Sequence, residues 1–422
     1  MSAPTDEGGA QSLERVPRAL SSREAWLDPF DWYAEMRANS PVRYDEHRQC
    51  WDVFRYEDVD RILDDPATFS SNPRLASAID LPPEDEQSPV METMLTADGD
   101  RHDRLRGVVE DWFRPRAIAE RSARFEEIAA ELLDDAVADG QMELVEEFAY
   151  PFPVIVIAEL LGVPGEDRPQ FRRWSETLIE TPTDTSEAGL DAFQERQERA
   201  SEELADYFET KLDARARDPQ DDLITVIARA AGEDGALTHE EALGFCMLLL
   251  VAGNITTTNL IANAMRCLTA HPEAMARLQA GEVGLEQGVE EVLRYRSPVQ
   301  ALARIATEPV EIRGMEIEAG DAVVPWLGSA NRDPSTFEAP ETFRVDRAPN
   351  PHFGFGRGTH YCLGAPLARL ETRIALDALF ERTTDIRRVD EALQPVRSAF
   401  IYGVEAFPIE FRSQDDVESP AS

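Results

Sequence analysis

The side chain best placed to do chemistry is Cys362, inside the stretch Pro351 to Glu371, PHFGFGRGTHYCLGAPLARLE. A thiolate is a soft ligand as well as a nucleophile, and soft sulfur suits iron. Gly354, Gly356 and Gly358 open an irregular loop before the cysteine, and Gly364, Ala365 and Pro366 lead into an amphipathic helix after it. Small residues on both sides let a flat ligand approach the backbone. The sulfur stands just ahead of a helix start, where unpaired N–H groups and the helix dipole favour thiolate over thiol. Pro366 suits the first turn, where its missing N–H sacrifices no bond. A dinucleotide loop is a poor rival, because GFGRG lacks a preceding βα unit in register and a following acid. A cysteine hydrolase needs a partner base, and His360, two residues away, points elsewhere. An inert core cysteine is the ordinary reading of a lone thiol, but it leaves the glycines unexplained.

A second candidate lies in the longest apolar segment, EEALGFCMLLLVAGNITTTNLIANAMRCL, Glu240 to Leu268. It is apolar nearly all round, so it should cross the interior as a helix. Its middle, AGNITTTN (Ala252 to Asn259), carries Gly, Asn and threonines where a core helix prefers Leu or Ala. Such a local violation marks either a functional site or a small-residue packing patch. Glu291 and Arg294, three apart, share a helix face and can pair. A pair at this spacing is usually a solvated surface contact.

These residues need a scaffold. From Arg101 to about Leu278 apolar residues recur at spacings of three and four, as in RFEEIAAELLDDAV and QERASEELADYFETKLDARA, which predicts helices. PVRYDEHRQCWDVFRY and VEIRGMEIEAGDAVVPW read as short strands around turns, and Asp333 to Phe353 is Pro-rich and irregular. The expected fold class is mainly α with small β-sheets (α+β). Residues 1–20 are expected to be a flexible segment, 21–412 a single domain, and 413–422 a flexible acidic tail.

No uncharged apolar run is long enough for a membrane span and no apolar signal region opens the chain, which points to a cytoplasmic protein without membrane contact. The four cysteines lie far apart with no CxxC pair, against a disulfide framework or zinc cluster. A formal net charge of −40 repels phosphates, which excludes nucleic acid as a partner. Lys211 is the only lysine, and carboxylates are spread throughout. That pattern resembles proteins of salt-rich cytoplasm, where salt screens the self-repulsion; an ordinary acidic protein is the alternative.

The loop around Cys362 resembles the haem-binding loop of the cytochromes P-450, whose pattern Phe, Gly, x, Gly, x, His or Arg, x, Cys, x, Gly is met by Phe355, Gly356, Gly358, His360, Cys362 and Gly364. Other segments match in order over roughly residues 25–410. The resemblance implies a triangular, helix-rich single domain with short hairpins, holding haem b (iron protoporphyrin IX) with Cys362 as axial ligand. Glu291 and Arg294 fit the family's ExxR motif. Its usual third partner, an arginine in Pro-x-Arg-Phe, is replaced by Thr342, so Arg344 or Arg347 is expected to substitute. Haem propionates need cationic or hydrogen-bonding partners when buried. The resemblance offers His102, Arg106, Arg304 and His360, of which at least three are expected to make contact.

AGNITTTN resembles the family's oxygen-activation segment, which breaks the long helix above the haem. Ala252, Gly253 and Thr256 fit, while Ile255 occupies the position of the usual acid. Asn254, acting through ordered water, is the expected alternative proton route. Substrate contacts carried over by position come from Ser70 to Met94, Phe245 to Thr256, the strand after Pro298 and the turn near Phe400, with Val299, Leu302, Phe400 and Ile401 suggesting an apolar pocket. The expected activity is monooxygenation of a lipophilic small molecule, such as a fatty acid or isoprenoid. Electrons are expected from a separate ferredoxin or flavodoxin with its reductase, docking near Arg114, Arg116 and Arg357. A peroxide-using or isomerising relative, and a haem-thiolate sensor or carrier without turnover, are the competing readings.

Overall fold

Alternation of apolar and polar residues makes a hairpin of Val42–Asp45 (β1) and Cys50–Val53 (β2), in the register Val42↔Val53 to Asp45↔Cys50. The computed structural model describes residues 16–77, 89–179, 187–232, 235–389, 392–396, 398 and 400–414. The hairpin belongs to a five-stranded sheet with Phe69–Ser70 (β3), Arg304–Ala306 (β4) and Ala322–Pro325 (β5), in the order β1-β2-β5-β4-β3. Side chains of β5 alternate between two small cores: Ala322 and Val324 pack with Cys50 and Trp326, Val323 with Val42 and Val53. Pairing of Ser70 with Ile305 sets β3 beside Arg304. A separate hairpin, Val310–Ile312 with Met315–Ile317, turns at Arg313 and Gly314, both at positive φ. A third sheet of Gln141–Glu143, Thr383–Arg388 and Pro408–Ser413 was not foreseen from the sequence.

The helices that position the site are Gly99–Val109 (α1), Ser122–Asp139 (α2), Arg168–Ile179 (α3), His239–Ala270 (α4), Leu285–Tyr295 (α5) and Ala365–Arg382 (α6). α4 begins at a capping box, in which Thr238 and Glu241 satisfy each other's backbone N–H groups. It packs against α3, α5 and α6. By length and composition α4 would pass for a membrane span, yet 72% of its most apolar window is buried within the protein, as in a globular core helix. The expected break is absent: α4 is helical without interruption through AGNITTTN. One large core collects side chains from Ala97 to Phe411 across these helices.

Two expected boundaries move. Leu20 is 1% exposed and Arg18–Leu20 forms a short 3-10 turn, so the packed body includes residues assigned to a flexible leader. Ser413, placed in the tail, pairs with Thr383 as the last residue of its strand. Residues 1–15 and 415–422 lie outside the described residues.

Candidate active site

The cysteine loop is shaped by its glycines. Gly356 and Gly358 sit at φ 69° and 68°, and a Cβ on Gly358 would lie 2.7 Å from the Leu63 carbonyl oxygen. A Cβ on Gly354 would come within 3.0 Å of the Leu293 carbonyl. Cys362 N–H donates to Phe355 O at 3.0 Å and Tyr361 N–H to Gly358 O at 3.0 Å, which closes the loop on itself. Phe355 is half-buried beneath it, with the Arg369 guanidinium 4.5 Å from its ring centroid. On the helix side the backbone is open: a Cβ on Gly364 would meet only Cys362 Sγ, at 4.0 Å.

Cys362 presents free surface, yet it sits deep among protein atoms, and that burial raises its thiol pKa. The N–H groups of Gly364 and Ala365, with Arg106 and Arg369, pull the other way without winning. The expectation that the helix start alone would favour the thiolate is therefore corrected: desolvation outweighs the dipole here, and a cation bound at sulfur is what would invert the balance.

Beneath the loop, Glu291 and Arg294 are fully buried rather than solvated. Arg294 donates from Nε and Nη2 to the two Glu291 oxygens at 2.8 and 2.7 Å, and to the carbonyls of Asn331, Pro340 and Thr342. Arg347 supplies the third side chain, its Nε 3.0 Å from Glu291 Oε2. Arg344 contributes only its backbone N–H, at 2.8 Å, while its guanidinium turns to Asp346. Thr342 keeps a place in the cluster through its carbonyl, which accepts from both arginines.

Four cationic or imidazole groups gather beside β3 and β4. The rings of His102 and His360 meet edge to face at 4.5 Å, and Arg106 Nη1 donates to the Tyr361 carbonyl at 2.9 Å. Arg304 is 8% exposed, and its Nη1 donates to the carbonyl of its neighbour Ala303 at 2.8 Å. Burial brings its guanidinium pKa down to about 10. Among the described residues no carboxylate pairs with it. Asp98 was missed by sequence reasoning. It accepts from Ser70 Oγ–H, from Ser71 N–H at 3.2 Å and from His360 Nε2 at 3.3 Å, and so orients the imidazole. The hint was its position one residue before a Gly-Asp helix start.

On the opposite side, Ala252 is exposed in the middle of α4, where its neighbours are buried or half-buried, and Gly253 has nothing within 4 Å of where a Cβ would stand. Thr256 Oγ1 donates back to Ala252 O at 2.9 Å, and Ile255 is half-buried. Asn254 is turned away. It has no exposed surface, and its Nδ2 donates to Ser175 Oγ on α3 at 3.0 Å. Its Oδ1 is buried with no protein partner, so an ordered water is the natural partner for that oxygen.

Residues 285–384 match the family model described as Cytochrome P450. Cytochrome P450 109 of Bacillus spizizenii is 40% identical over 92% of this chain and 93% of its own length. The substrate-free crystal structure of CYP109E1 from Bacillus megaterium superposes with a TM-score of 0.86 at 41% identity, covering 92% of this chain and 100% of that one. The same protein in complex with testosterone gives a TM-score of 0.84 at 41% identity, over 92% and 99% of the two chains. The chain belongs to the cytochrome P450 family. It is a haem-dependent monooxygenase, and its cofactor is haem b.

The residues present fit that cofactor. A flat ring needs open backbone on both faces, offered at Gly364 and Gly253; its propionates need a buried cation not already ion-paired, offered by Arg304, which feels Asp98 only at a distance among the described residues. Bound there, haem supplies redox chemistry and dioxygen activation, with sulfur as electron donor to the iron. The protein's share is to orient and to exclude water.

In this P450 the two apolar segments expected at the substrate are joined: Val299 bridges Ile401, and Gln300 N–H donates to Phe400 O at 2.8 Å. Val299, Leu302, Phe400 and Ile401 are all only partly buried. Phe245 is instead plain core at 0% exposure. Of Ser70 to Met94, residues 78–88 lie outside the described residues. The three arginines expected at the donor surface are each matched by a carboxylate: Arg114 by Asp111 at 2.9 Å, Arg116 by Glu120 at 3.2 Å and Arg357 by Asp60 at 2.6 Å. They form no free cationic patch.

Proposed function

We propose that Cys362 is the axial thiolate, that His102, Arg106, Arg304 and His360 hold the propionates, and that Phe355, Gly356 and Gly364 shape the proximal cradle. Ala252, Gly253 and Thr256 form the oxygen face. The substrate is a lipophilic small molecule of steroid size, received between the Val299–Leu302 segment and the Phe400–Ile401 turn. The testosterone complex of a relative at 41% identity supports the size, and the partly buried apolar wall supports the polarity. Electrons come from a separate ferredoxin or flavodoxin with its reductase, in the cytoplasm of a cell whose salt suits an acidic surface; thermal stability then rises steeply with salt.

The observation that carries this reading is Arg304, a buried cation beside His360, whose ring meets that of His102 edge to face and which stands two residues before the open thiol of Cys362. The deciding experiment is the absorption spectrum of the reduced, carbon-monoxide-bound protein: a red-shifted thiolate band is expected, and its absence overturns ligation by Cys362. Testosterone should then move the ferric Soret band to shorter wavelength as it displaces water, whereas a saturated fatty acid moving it at lower concentration would replace the steroid assignment. A second reading, peroxide-driven turnover or ligand carriage, draws on Ile255 and on the Thr256 hydroxyl being bonded to Ala252 O. Product formed with dioxygen and a donor system, but not with hydrogen peroxide alone, sets it aside.

A further inference from the structure

The chain carries 82 acidic residues against 42 lysines and arginines, so a buried guanidinium that no carboxylate reaches is an anomaly. Arg304 is assigned to the haem propionates. Two others, where α4 and α5 end, have no such partner. Arg266, near the C-terminal end of α4, is 8% exposed, and its Nη1 donates to Asn263 Oδ1 at 3.2 Å. Arg296 caps α5 and is half-buried. Both lie against the fully buried ring of Tyr402, with guanidinium carbons 5.3 and 5.8 Å from its centroid. Arg296 Nη1 donates to the Tyr402 hydroxyl, and Arg266 stands close enough to bond the same oxygen. The proton of that hydroxyl goes to Leu27 O at 2.8 Å. Two cations thus converge on one neutral oxygen.

Among the described residues no carboxylate pairs with either. Glu291 is held by Arg294 and Arg347, and Glu341 faces Arg332 and Arg37 at 2.5 and 3.6 Å. Asp28 is exposed and acts on Arg296 only from a distance. Arg332 adds a third positive charge. It is 3% exposed and wedged between rings, its guanidinium carbon 3.4 Å from the Phe30 centroid and 3.8 Å from that of Tyr295, and its Nε has no partner. Arg296 stands 5.5 Å from the same Phe30 centroid. Helix-end dipoles and ring faces offset part of this charge, but neither carries a net negative charge. Burial lowers the pKa of Arg266, and the like charge of Arg296 also lowers it. A guanidinium nevertheless keeps its proton at neutral pH, so the charge remains to be met.

We propose that Arg266 and Arg296 form a binding site for one small monovalent anion, chloride in a salt-rich cell, at the joint of α4, α5 and the turn that carries Tyr402. The N–H groups not used toward Asn263 and Tyr402 supply its donors. The 8% of Arg266 left open admits a monatomic ion more readily than a branched oxyanion. Because the ion joins segments far apart in sequence, its occupancy stabilises the fold and takes no part in the reaction. The inference does not depend on haem. It divides the salt requirement of this acidic chain into general screening and one specific site.

The test keeps those two parts separate. Haem-loaded protein is melted while sodium chloride replaces sodium gluconate, a bulky carboxylate, at constant ionic strength. Tm should rise along a saturating curve, by about 2 °C or more in total. Strongly hydrated anions are the ones that stabilise proteins without binding, so an advantage for chloride runs against that order. Arg266→Met should melt above the wild type in gluconate, because an unmet buried charge has gone, and its chloride response should be flat. Arg296→Met should lose the response as well, which keeps the test open if the first variant does not fold. In a crystal soaked with bromide, an anomalous peak should stand between the two guanidiniums. A wild-type Tm that is the same in both salts, a response retained in both variants, or no bromide at that position overturns the proposal. A response that emerges only in Asp28→Asn overturns it too, since that carboxylate would then fill the site in the wild type.

Discussion

The two sides of the haem site are built in opposite ways. On the cysteine side the backbone and the central ion cluster are committed, with glycines at positive φ, loop carbonyls closed on backbone N–H groups, and Glu291 held between Arg294 and Arg347 at full burial, while Asn331 Nδ2 and Asn350 Oδ1 at its edge have no partner among the described residues. On the oxygen side the helix runs unbroken, the acid is absent, and Asn254 Oδ1, Thr258 Oγ1 and Asn259 Oδ1 are buried without protein partners. A ligand-holding loop gains from rigidity, because a displaced sulfur loses its metal. A proton path gains from polar atoms left for water, because a saturated network has nothing to pass on.

The comparison breaks most visibly at the sulfur. Cys362→Ser should abolish the thiolate carbon-monoxide band and all turnover while the urea midpoint of the haem-free protein stays near wild type, since that side chain is not part of the packed core. Next in size is Glu291→Ala, which leaves two arginines buried without their anion. It should cost about 3–5 kcal/mol in urea denaturation. Smaller and more selective is Arg304→Leu. Loss of a charge-assisted partner, worth about 1.5–3 kcal/mol, should speed haem transfer to apomyoglobin by about ten- to a hundredfold. The haem-free protein should be no less stable, because an unpaired buried cation has been removed.

The sequence was most legible where chemistry and backbone strain coincide. Cys362 with its glycines, the α4 span and the two β-rich stretches could be read from local residue types, since each depends on a helical or strand period or on a positive φ, although the second stretch turns at Arg313–Gly314 and not only at the expected Gly320–Asp321. Glu291 and Arg294 were legible as a pair but not as a buried one, because burial comes from Arg347 and the carbonyls of Asn331, Pro340 and Thr342, many residues downstream. Asp98 and Glu371 were invisible. Each is one carboxylate among 82 acidic residues, and only packing shows that one grips His360 while the other has no cation at all.

The same packing gives Glu371 a stability signature that needs no haem. Its folded pKa lies above that of an unfolded glutamate, so between about pH 4.5 and 8 the folded chain keeps a proton that the unfolded chain has released. Below that window both states hold the proton and the stability is fully present; it is lost as pH rises through the window and levels off above it. Glu371→Gln should make the slope less negative by up to about 1.4 kcal/mol per pH unit, read from urea midpoints of the two proteins side by side. An identical slope means that Glu371 is ionised in the folded protein.

The subtlest test adds what the oxygen side lacks. If the acid absent at Ile255 limits proton delivery, Ile255→Glu should raise the fraction of electrons recovered in product. An unchanged fraction would mean that delivery does not depend on an acid at that position. The half-buried position of Ile255 leaves a carboxylate there partly hydrated, so it should titrate close to an ordinary glutamate, and any gain should appear only above that range.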